Sequence, residues 1–201
     1  MVNIIKVNEK NIKKIFEVAV KTLREGGIVS YQTETFYAIG AKFDIESALR
    51  RIYALKKRPS EKAMPLIVAD VKSLFMVAKD VNRKASDLIE RFWPGPLTIL
   101  LPAKKGLSDF ITHRGKVAVR VPGESFALLL GLMAGFPITA TSANPSEMPP
   151  AKTAEMVMQY FGTSIDLIID SGRTKARLPS TIVDTTGNKI KIIRQGGLRI
   201  K

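Results

Sequence analysis

The amino-acid sequence predicts a mixed α/β domain in which helices cover a mixed β-sheet. Short apolar segments typical of strands alternate with segments of helical periodicity along the whole chain. Neither an internal repeat nor a low-complexity linker divides the 201 residues, and hydrophobic residues make up 45% of them, enough for a packed core. We therefore predict a single domain spanning residues 1–201.

The individual elements follow from periodicity and from turn residues. In the first helix, Ile12, Phe16 and Leu23 share one face, and Gly26-Gly27 ends the element. Five more helices are predicted near Ile45–Leu55, Val71–Ala78, Val81–Phe92, Ser125–Met133 and Thr153–Tyr160, the fourth of these apolar and therefore expected to be buried. Strands are predicted at Ile28–Tyr31, Pro65–Ala69, Leu97–Leu101, Val117–Val121, Ile138–Thr141 and Leu167–Ile169, with Thr181–Asp184 and Ile190–Ile193 as a closing pair.

Composition excludes several kinds of chemistry. The chain has no cysteine, which rules out disulfides and thiol catalysis, and His113 is its one histidine, which argues against a catalytic triad or a multi-histidine metal site. The longest apolar run, Phe126–Phe136, is too short for a membrane span of about 20 residues. The N-terminus shows no signal peptide. These features predict a cytoplasmic protein with no membrane role.

The net charge of +14, from 32 Lys and Arg against 18 Asp and Glu, favours a polyanionic ligand. The charge is unevenly distributed, because residues 50–62 are rich in Lys and Arg whereas residues 121–151 contain neither. A basic surface that serves only solubility is the simpler alternative. The clustering favours a nucleotide or a nucleic acid as the partner.

Two segments carry small polar side chains next to predicted strands. Pro137–Asn144 runs from apolar residues into Thr141, Ser142 and Asn144, which suits a ligand lying against the main chain. An Asn-Pro turn after a strand end explains the same residues more simply. Thr33, Thr35 and Tyr37 would present three hydroxyls on one side if that chain is extended, although β-propensity alone also accounts for them.

Cations mark three further positions. The residue before Pro59 disfavours helix, so a helix is expected to end near Leu55–Lys57, and an extended exit would put Lys56 and Arg58 on one side, where they suit a polyphosphate. Cations that stabilise the helix C-terminus are the alternative. Arg120 in an apolar strand, like Arg194 after another, either pairs with an acid or faces an anion-binding cleft.

The turn Trp93–Pro96 is interpreted as structural.

Taken together and in order, these segments resemble the YrdC-like family of threonylcarbamoyl-AMP synthases. The matching motifs are Thr33-Glu34-Thr35-x-Tyr37, Lys56-x-Arg58-Pro59, Pro65-Leu66, Trp93-Pro94-Gly95-Pro96-Leu97-Thr98, Val119-Arg120-x-Pro122, Thr141-Ser142-Ala143-Asn144, Ser180-Thr181 and Arg194-x-Gly196. The resemblance implies a YrdC/RibB-like twisted mixed sheet with a concave basic face, in its single-domain form. It also implies that L-threonine, bicarbonate and ATP are converted to threonylcarbamoyl-AMP and pyrophosphate for the threonylcarbamoyladenosine modification of tRNA.

The resemblance further implies roles for individual residues. Threonine would be bound by Thr33, Ile67, Arg120, Ser142 and Ser180. ATP would be bound by Lys56, Arg58, Ser60, Lys116, Ala140, Asn144, Pro150 and Arg194, with Lys56 and Arg58 as the catalytic cations. Mg²⁺ is expected to arrive with ATP, and no protein-bound metal is expected. The chain departs from the family at Glu147, where a Gly commonly follows Ser146.

The implied partners are the three substrates and the downstream tRNA threonylcarbamoyl-transferase proteins, with direct binding of tRNA or double-stranded RNA left open. A different function remains open on the charge alone: a basic module that binds double-stranded RNA or tRNA without catalysis. A carbamoyl-adenylate enzyme with another acceptor is disfavoured, because such relatives are much longer chains.

Overall fold

The computed structural model describes residues 3–59, 61–175 and 178–200. Within them the strands are β1 (Asn3–Lys6), β2 (Val29–Gln32), β3 (Tyr37–Gly40), β4 (Leu66–Ile67), β5 (Leu97–Pro102), β6 (Thr112–His113), β7 (Lys116–Arg120), β8 (Ile138–Thr139), β9 (Thr141–Ser142), β10 (Leu167–Asp170), β11 (Thr181–Asp184) and β12 (Lys191–Arg194). The helices are α1 (Ile12–Arg24), α2 (Glu46–Lys56), α3 (Val71–Val77), α4 (Arg83–Phe92), α5 (Phe126–Ala134) and α6 (Ala154–Phe161), followed by a short 3₁₀ turn at Gly162–Ser164. The predicted mixed α/β class is confirmed.

Two mixed sheets form the centre of the molecule, where one had been predicted. The first has the strand order β1-β10-β2-β3-β9, parallel across β1, β10 and β2 and antiparallel from β2 to β9. The second has the order β12-β11-β5-β7-β4-β8, with β6 paired to β7. In the second sheet β11 runs parallel to β5 and β4 parallel to β7, and its other pairings are antiparallel.

The chain passes from one sheet to the other at Ala140, between β8 and β9. The prediction of one continuous strand over Ile138–Thr141 is therefore wrong: Thr139 pairs with β4, whereas Thr141 pairs with β3. The sheets approach so closely here that a side chain at Gly40 would collide with the carbonyl oxygen of Thr139. The hydroxyl of Tyr31 donates to that same oxygen at 2.7 Å. This crossing brings the polar residues Thr141 and Ser142 between the two sheets.

Helices cover the sheets, and three of them have side-chain caps at their N-termini. Asp70 caps α3 in a capping box with Ser73, and the side chains of Asn82 and Thr153 cap α4 and α6. The α1 and α5 helices pack through the rings of Phe16 and Phe126, whose centroids lie 4.5 Å apart.

Helix α5 is not buried on all sides, contrary to the prediction from its apolar composition. Phe126 and Leu130 face the core, but Leu132 is 53% exposed and Leu129 and Met133 are also exposed. An all-apolar helix gives no periodic signal that separates its inner from its outer face. In the part of the chain that the structure describes, no helix combines the length and the apolar character needed to cross a bilayer.

Candidate ligand-binding cavity

A cavity of about 650 Å³ opens between the two sheets, a size typical of small-molecule sites. Its walls come from β3 and β9 of the first sheet and from β4, β5, β7, β11 and β12 of the second. On β7 the alternate residues Lys116, Ala118 and Arg120 face the cavity, while Val117 and Val119 are fully buried in the core. Two-residue alternation thus places a cation at each end of one strand on the cavity wall.

Ten of the residues predicted for the site line this cavity. They are Thr33, Arg58, Ile67, Lys116, Arg120, Ala140, Ser142, Pro150, Ser180 and Arg194. Lys56 and Asn144 are not among the lining residues, and Ser60 lies outside the described residues. The sequence-based set is therefore largely assembled in one place, although one predicted cation stands apart from it.

The segment after β2 is a turn, so the extended conformation that would align Thr33, Thr35 and Tyr37 is not adopted. The Thr33 hydroxyl donates to the Phe36 carbonyl at 2.8 Å and accepts from the amides of Thr35 and Phe36 at 3.0 and 3.2 Å. The Tyr37 hydroxyl points elsewhere, donating to the Gly172 carbonyl at 2.7 Å. Thr33, Thr35 and Tyr37 all line the cavity, and the Thr33 and Thr35 hydroxyl oxygens lie 2.8 Å apart, but the row of three hydroxyls expected for an extended chain does not form.

The exit from α2 is likewise not extended. Helix α2 includes Lys56, and Lys57 adopts a left-handed conformation with φ 48° that ends it. The ammonium group of Lys56 donates to the backbone carbonyls of Ser142 and Asn144, the latter at 2.5 Å, and its side chain is only 2% exposed. Burial, helped by the charge of Arg58, lowers the pKa of Lys56 to about 7.

Lys56 also holds the following loop through its own main chain, because its carbonyl accepts from the amide of Ser146 at 2.9 Å. The side-chain amide of Asn144 donates to the carbonyls of Pro145 and Met148, at 2.9 and 2.6 Å, and so closes that loop on itself. Lys56 and Asn144 therefore support the Thr141–Asn144 wall from behind, where they fix the position of Ser142.

Arg58, unlike Lys56, lines the cavity itself. Its guanidinium donates to the carbonyls of Lys62 and Ala63, at 2.6 and 3.0 Å, and to the Thr141 hydroxyl at 3.3 Å. Burial lowers the pKa of Arg58 from its usual value, although the group remains charged. Its hydrogen bonds thus go to neutral oxygens, which orient the guanidinium without cancelling its charge.

Arg194 and Ser180 form a second fixed pair on the opposite wall. The guanidinium donates to the Ser180 carbonyl at 2.8 and 3.1 Å and to its hydroxyl at 3.0 Å, and that hydroxyl lies 3.0 Å from the Thr98 hydroxyl. Gly196 is required beside them, because a side chain there would collide with the backbone of Pro179 and Ser180. Burial, and then the charges of Arg120 and Arg58, lower the pKa of Arg194, so the three guanidiniums share one electrostatic environment.

For Arg120 the sequence left two alternatives open, pairing with an acidic residue or facing a cleft, and the structure shows both. It lines the cavity, and its guanidinium forms an ion pair with Glu34 while its Nε donates to the Gly95 carbonyl at 3.1 Å. That carbonyl belongs to the Trp93–Pro96 turn, whose indole donates to the Leu97 carbonyl at 2.7 Å. The turn acts structurally, as the sequence indicated, and it positions one acceptor for Arg120.

Several residues and ion pairs that line or support the cavity were not predicted from the sequence. Glu34 and Thr98 stand inside motifs that were noted, and Thr98 and Leu100 follow the two-residue alternation of β5, which would have identified their common face. Lys116 pairs with Asp184 at 2.5 Å, a partner on a distant strand that no local pattern could indicate. Among the described residues no group of three or more His, Cys, Asp or Glu side chains is placed to bind a metal ion.

The fold and the cavity define an α/β protein with a basic small-molecule site between two mixed sheets. A family model named Sua5_yciO_yrdC, described as "Telomere recombination", matches residues 21–196. The chain therefore belongs to the Sua5/YciO/YrdC family.

The sequences and structures of similar proteins align with nearly the whole chain. A threonylcarbamoyl-AMP synthase of Pyrococcus abyssi is 37% identical over all of this chain, which spans only 59% of that relative. A putative threonylcarbamoyl-AMP synthase of Methanocaldococcus jannaschii is 33% identical, with 100% of this chain and 95% of the relative covered. The solved structure of P. abyssi Sua5 complexed with L-threonine matches 98% of this chain and 58% of its own, with a TM-score of 0.89 and 34% identity.

Proposed function

We propose that this protein is an L-threonylcarbamoyladenylate synthase. The observation that carries the proposal is the convergence of Arg58, Arg120 and Arg194 with the hydroxyls of Thr33, Ser142 and Ser180 on one cavity. Three fixed cations suit a ligand with several negative charges, and neutral hydroxyls suit the polar part of an amino acid. A relative of the same fold has been solved with L-threonine, which supports threonine as the amino acid.

The contacts of the cations suggest how the two substrates divide the cavity. Arg58 and Arg194 are oriented by neutral oxygens and keep their charge for the triphosphate of ATP, with Lys116, Ala140 and Pro150 along the nucleotide. Threonine would lie with its carboxylate at Arg120, near Thr33, Ile67, Ser142 and Ser180. Lys56 and Asn144 would not contact the nucleotide directly. They would contribute to its binding by fixing the Thr141–Asn144 segment of the cavity wall.

The chemistry asks the protein for positioning and charge neutralisation. The threonine amine and bicarbonate give a carbamate and water, and the carbamate oxygen attacks the α-phosphorus of ATP. An O–P bond forms to give threonylcarbamoyl-AMP, and the bond to the β-phosphate oxygen breaks to release pyrophosphate. Guanidiniums fixed beside the phosphates stabilise the charge that develops on the leaving group, and the step needs no protein nucleophile.

We also propose that Mg²⁺ enters with ATP. The described residues offer no cluster of metal-binding side chains, so the phosphates themselves would supply most of its ligands. When bound, the ion would neutralise phosphate charge together with Arg58 and Arg194. The product would pass to tRNA threonylcarbamoyl-transferase proteins, and the cytoplasm is the proposed location.

The test is the release of pyrophosphate from ATP by purified protein with Mg²⁺. We expect release only when L-threonine and bicarbonate are both present, with threonylcarbamoyl-AMP detected by mass spectrometry. Arg194→Gln is expected to lower kcat/KM about 10²-fold or more, whereas the exposed Arg83→Gln should match the wild type. Pyrophosphate release that is independent of threonine, or no release at all, would contradict the proposal.

The net charge of +14 favours a second function, the binding of tRNA or double-stranded RNA. Its signature would be an affinity that falls steeply with salt, measured by fluorescence anisotropy with labelled RNA. An RNA affinity that does not change with salt concentration would argue against a phosphate-binding surface.

A further inference from the structure

We propose that Glu34 is a specificity-determining and positioning residue, which makes the corner of the cavity at Arg120 a site for an amino acid and not for a phosphate. This inference rests on the proposed function, because it concerns how threonine and ATP are kept apart in one basic cavity. Glu34 does so from outside the cavity wall, by fixing the guanidinium of Arg120 and offsetting its charge.

The first support is the position of the carboxylate. Glu34 is not among the residues that line the cavity, and both of its carboxylate oxygens are buried. It lies in the turn between β2 and β3 and forms its ion pair with Arg120, whose side chain is 10% exposed. With Nε bound to the Gly95 carbonyl, the Arg120 guanidinium is held from two sides. Although the Glu34 side chain is 19% exposed, its two carboxylate oxygens are buried and lie behind the cavity wall, to which Arg120 itself belongs.

The second support is the space that the fold leaves for this carboxylate. A side chain at Gly123 would place its Cβ 3.2 Å from Cγ, 3.3 Å from Cδ and 3.4 Å from Oε1 of Glu34. Such contacts are tighter than packed atoms usually adopt, so a larger residue at this position would push the carboxylate aside. The ion pair therefore depends on a glycine in the segment that follows β7.

The third support is the contrast among the three guanidiniums. Arg58 and Arg194 are oriented by carbonyl and hydroxyl oxygens, and these hydrogen bonds do not neutralise their charge. Arg120 is oriented by a buried carboxylate, which offsets much of its charge at a distance but leaves its remaining N–H groups as donors. A triphosphate is drawn to the first two. An amino acid, whose carboxylate comes with an ammonium group, is suited to the third, since Glu34 also attracts that ammonium.

The experiment compares L-threonine with 3-hydroxybutyrate, which lacks the amine, in wild type and Glu34→Gln. We expect the variant to raise the KM for threonine about tenfold, with kcat and the KM for ATP within about twofold, and to strengthen inhibition by 3-hydroxybutyrate about threefold or more. The matched control is Glu124→Gln, an exposed carboxylate next to Gly123, which should leave all four quantities unchanged.

The opposite shifts for the two ligands separate electrostatic discrimination from structural damage. If the KM for threonine and the inhibition constant of 3-hydroxybutyrate rise by the same factor, or if neither constant changes, the proposal is overturned. If wild-type protein shows no threonine-dependent pyrophosphate release, the proposed function itself fails. The inference about Glu34 fails alone when the wild type is active and the ligand preference of the variant is unaltered.

Breaking a buried ion pair is costly, so a second variant tests the proposal independently of whether Glu34→Gln folds. Gly123→Ala keeps both charges and displaces the carboxylate by a few tenths of an ångström. We expect a smaller rise in the KM for threonine, about threefold, with the KM for ATP unchanged. A folded Gly123→Ala protein with wild-type kinetics for both substrates would overturn the positioning role even if Glu34→Gln does not fold.

Discussion

Lys56 and Arg58 stand two residues apart in the sequence, yet they occupy different layers of the site. Arg58 forms part of the cavity wall and is oriented by the carbonyls of Lys62 and Ala63. Lys56 is buried behind that wall and donates to the carbonyls of Ser142 and Asn144. The left-handed turn at Lys57 separates them. Two cations in one motif can therefore serve two purposes, one lining the cavity and one holding the backbone that lines it.

The difference shows that charge in a sequence locates a basic region but not the atoms that the charge will contact. A phosphate and a row of carbonyl oxygens are both hydrogen-bond acceptors, and a lysine near a helix end can reach either. Which one it reaches depends on how the distant Thr141–Asn144 segment packs. The following predictions test whether Lys56 and Arg58 act as differently as their positions indicate.

The largest effect is expected from Arg58→Ala. Arg58 lines the cavity wall at which we propose that the triphosphate binds, so its removal should lower kcat/KM about 10²- to 10³-fold in the pyrophosphate-release assay. The free energy of unfolding should fall by only about 1 kcal/mol, because the hydrogen bonds lost, to two backbone carbonyls and the Thr141 hydroxyl, lie at the wall of an open cavity where water can replace them. Urea unfolding monitored by circular dichroism measures the second quantity. A loss of activity that merely parallels a large loss of stability would contradict a direct role for Arg58.

A smaller loss of activity is expected from Lys56→Met, about 10- to 10²-fold, because this residue acts through the wall. The variant leaves the carbonyls of Ser142 and Asn144 without their donor, at about 1–3 kcal/mol for each buried group. Hydrogen exchange of the peptide covering residues 141–148 should therefore accelerate, while exchange in α1 stays unchanged. If activity is lost with unaltered exchange, Lys56 contacts the phosphates and the contrast with Arg58 disappears.

The lowered pKa of Lys56 predicts a pH dependence of stability. Its pKa is about 7 in the folded protein and near its ordinary 10.5 in the unfolded chain, so between these values the unfolded state binds more protons. The contribution of Lys56 to the free energy of unfolding should thus rise with pH from 7 to 10.5, by roughly 1 kcal/mol per pH unit. Below pH 7 both states are protonated, and the contribution is constant.

Lys56→Met removes this titration and supplies the control. The difference in unfolding free energy between wild type and variant, measured by urea denaturation, should grow across the interval from pH 7 to 10.5. A difference that is flat there would show that Lys56 keeps its ordinary pKa in the folded state. The exposed Lys13→Met, on the outer face of α1, should show no such trend.

The sequence predicted the local elements well because helical periodicity and turn residues are local signals. Helix α1 and the closing pair of strands β11 and β12 are examples, and each is defined by residues close together in the chain. The strands β1, β3 and β6 were missed. The partner of β1 lies far along the chain, and β3 lies beyond a turn whose geometry depends on the Thr33 hydroxyl. Strand β6 pairs with the nearby β7, but its two residues are too few to show an alternating pattern.

Most of the site was located from motifs, but the contacts of its charged groups were not. Nothing near Arg120 in the sequence indicates that Glu34 is its partner, and the same holds for Lys116 and Asp184. Glu147 is a partial exception. Its left-handed φ of 72° is the conformation that favours glycine, which explains why the family commonly has Gly there. A backbone requirement can be read from a sequence pattern, whereas a long-range ion pair requires the fold.

The smallest effect concerns Lys57, the residue whose conformation separates Lys56 from Arg58. A non-glycine residue in the left-handed region is strained by about 1–2 kcal/mol, and glycine relieves the strain at some cost in unfolded-state entropy. Lys57→Gly should therefore raise the free energy of unfolding by about 0.5–1 kcal/mol relative to Lys57→Ala, which keeps the strain and controls for the lost side chain. Thermal and urea unfolding of the two variants measure the difference.

Activity should stay within about twofold of the wild type for Lys57→Gly, since the turn still directs Lys56 to the carbonyls and Arg58 to the cavity. Were activity to fall about tenfold while stability rose, the stiffness of this turn would itself be part of how the two cations are kept apart.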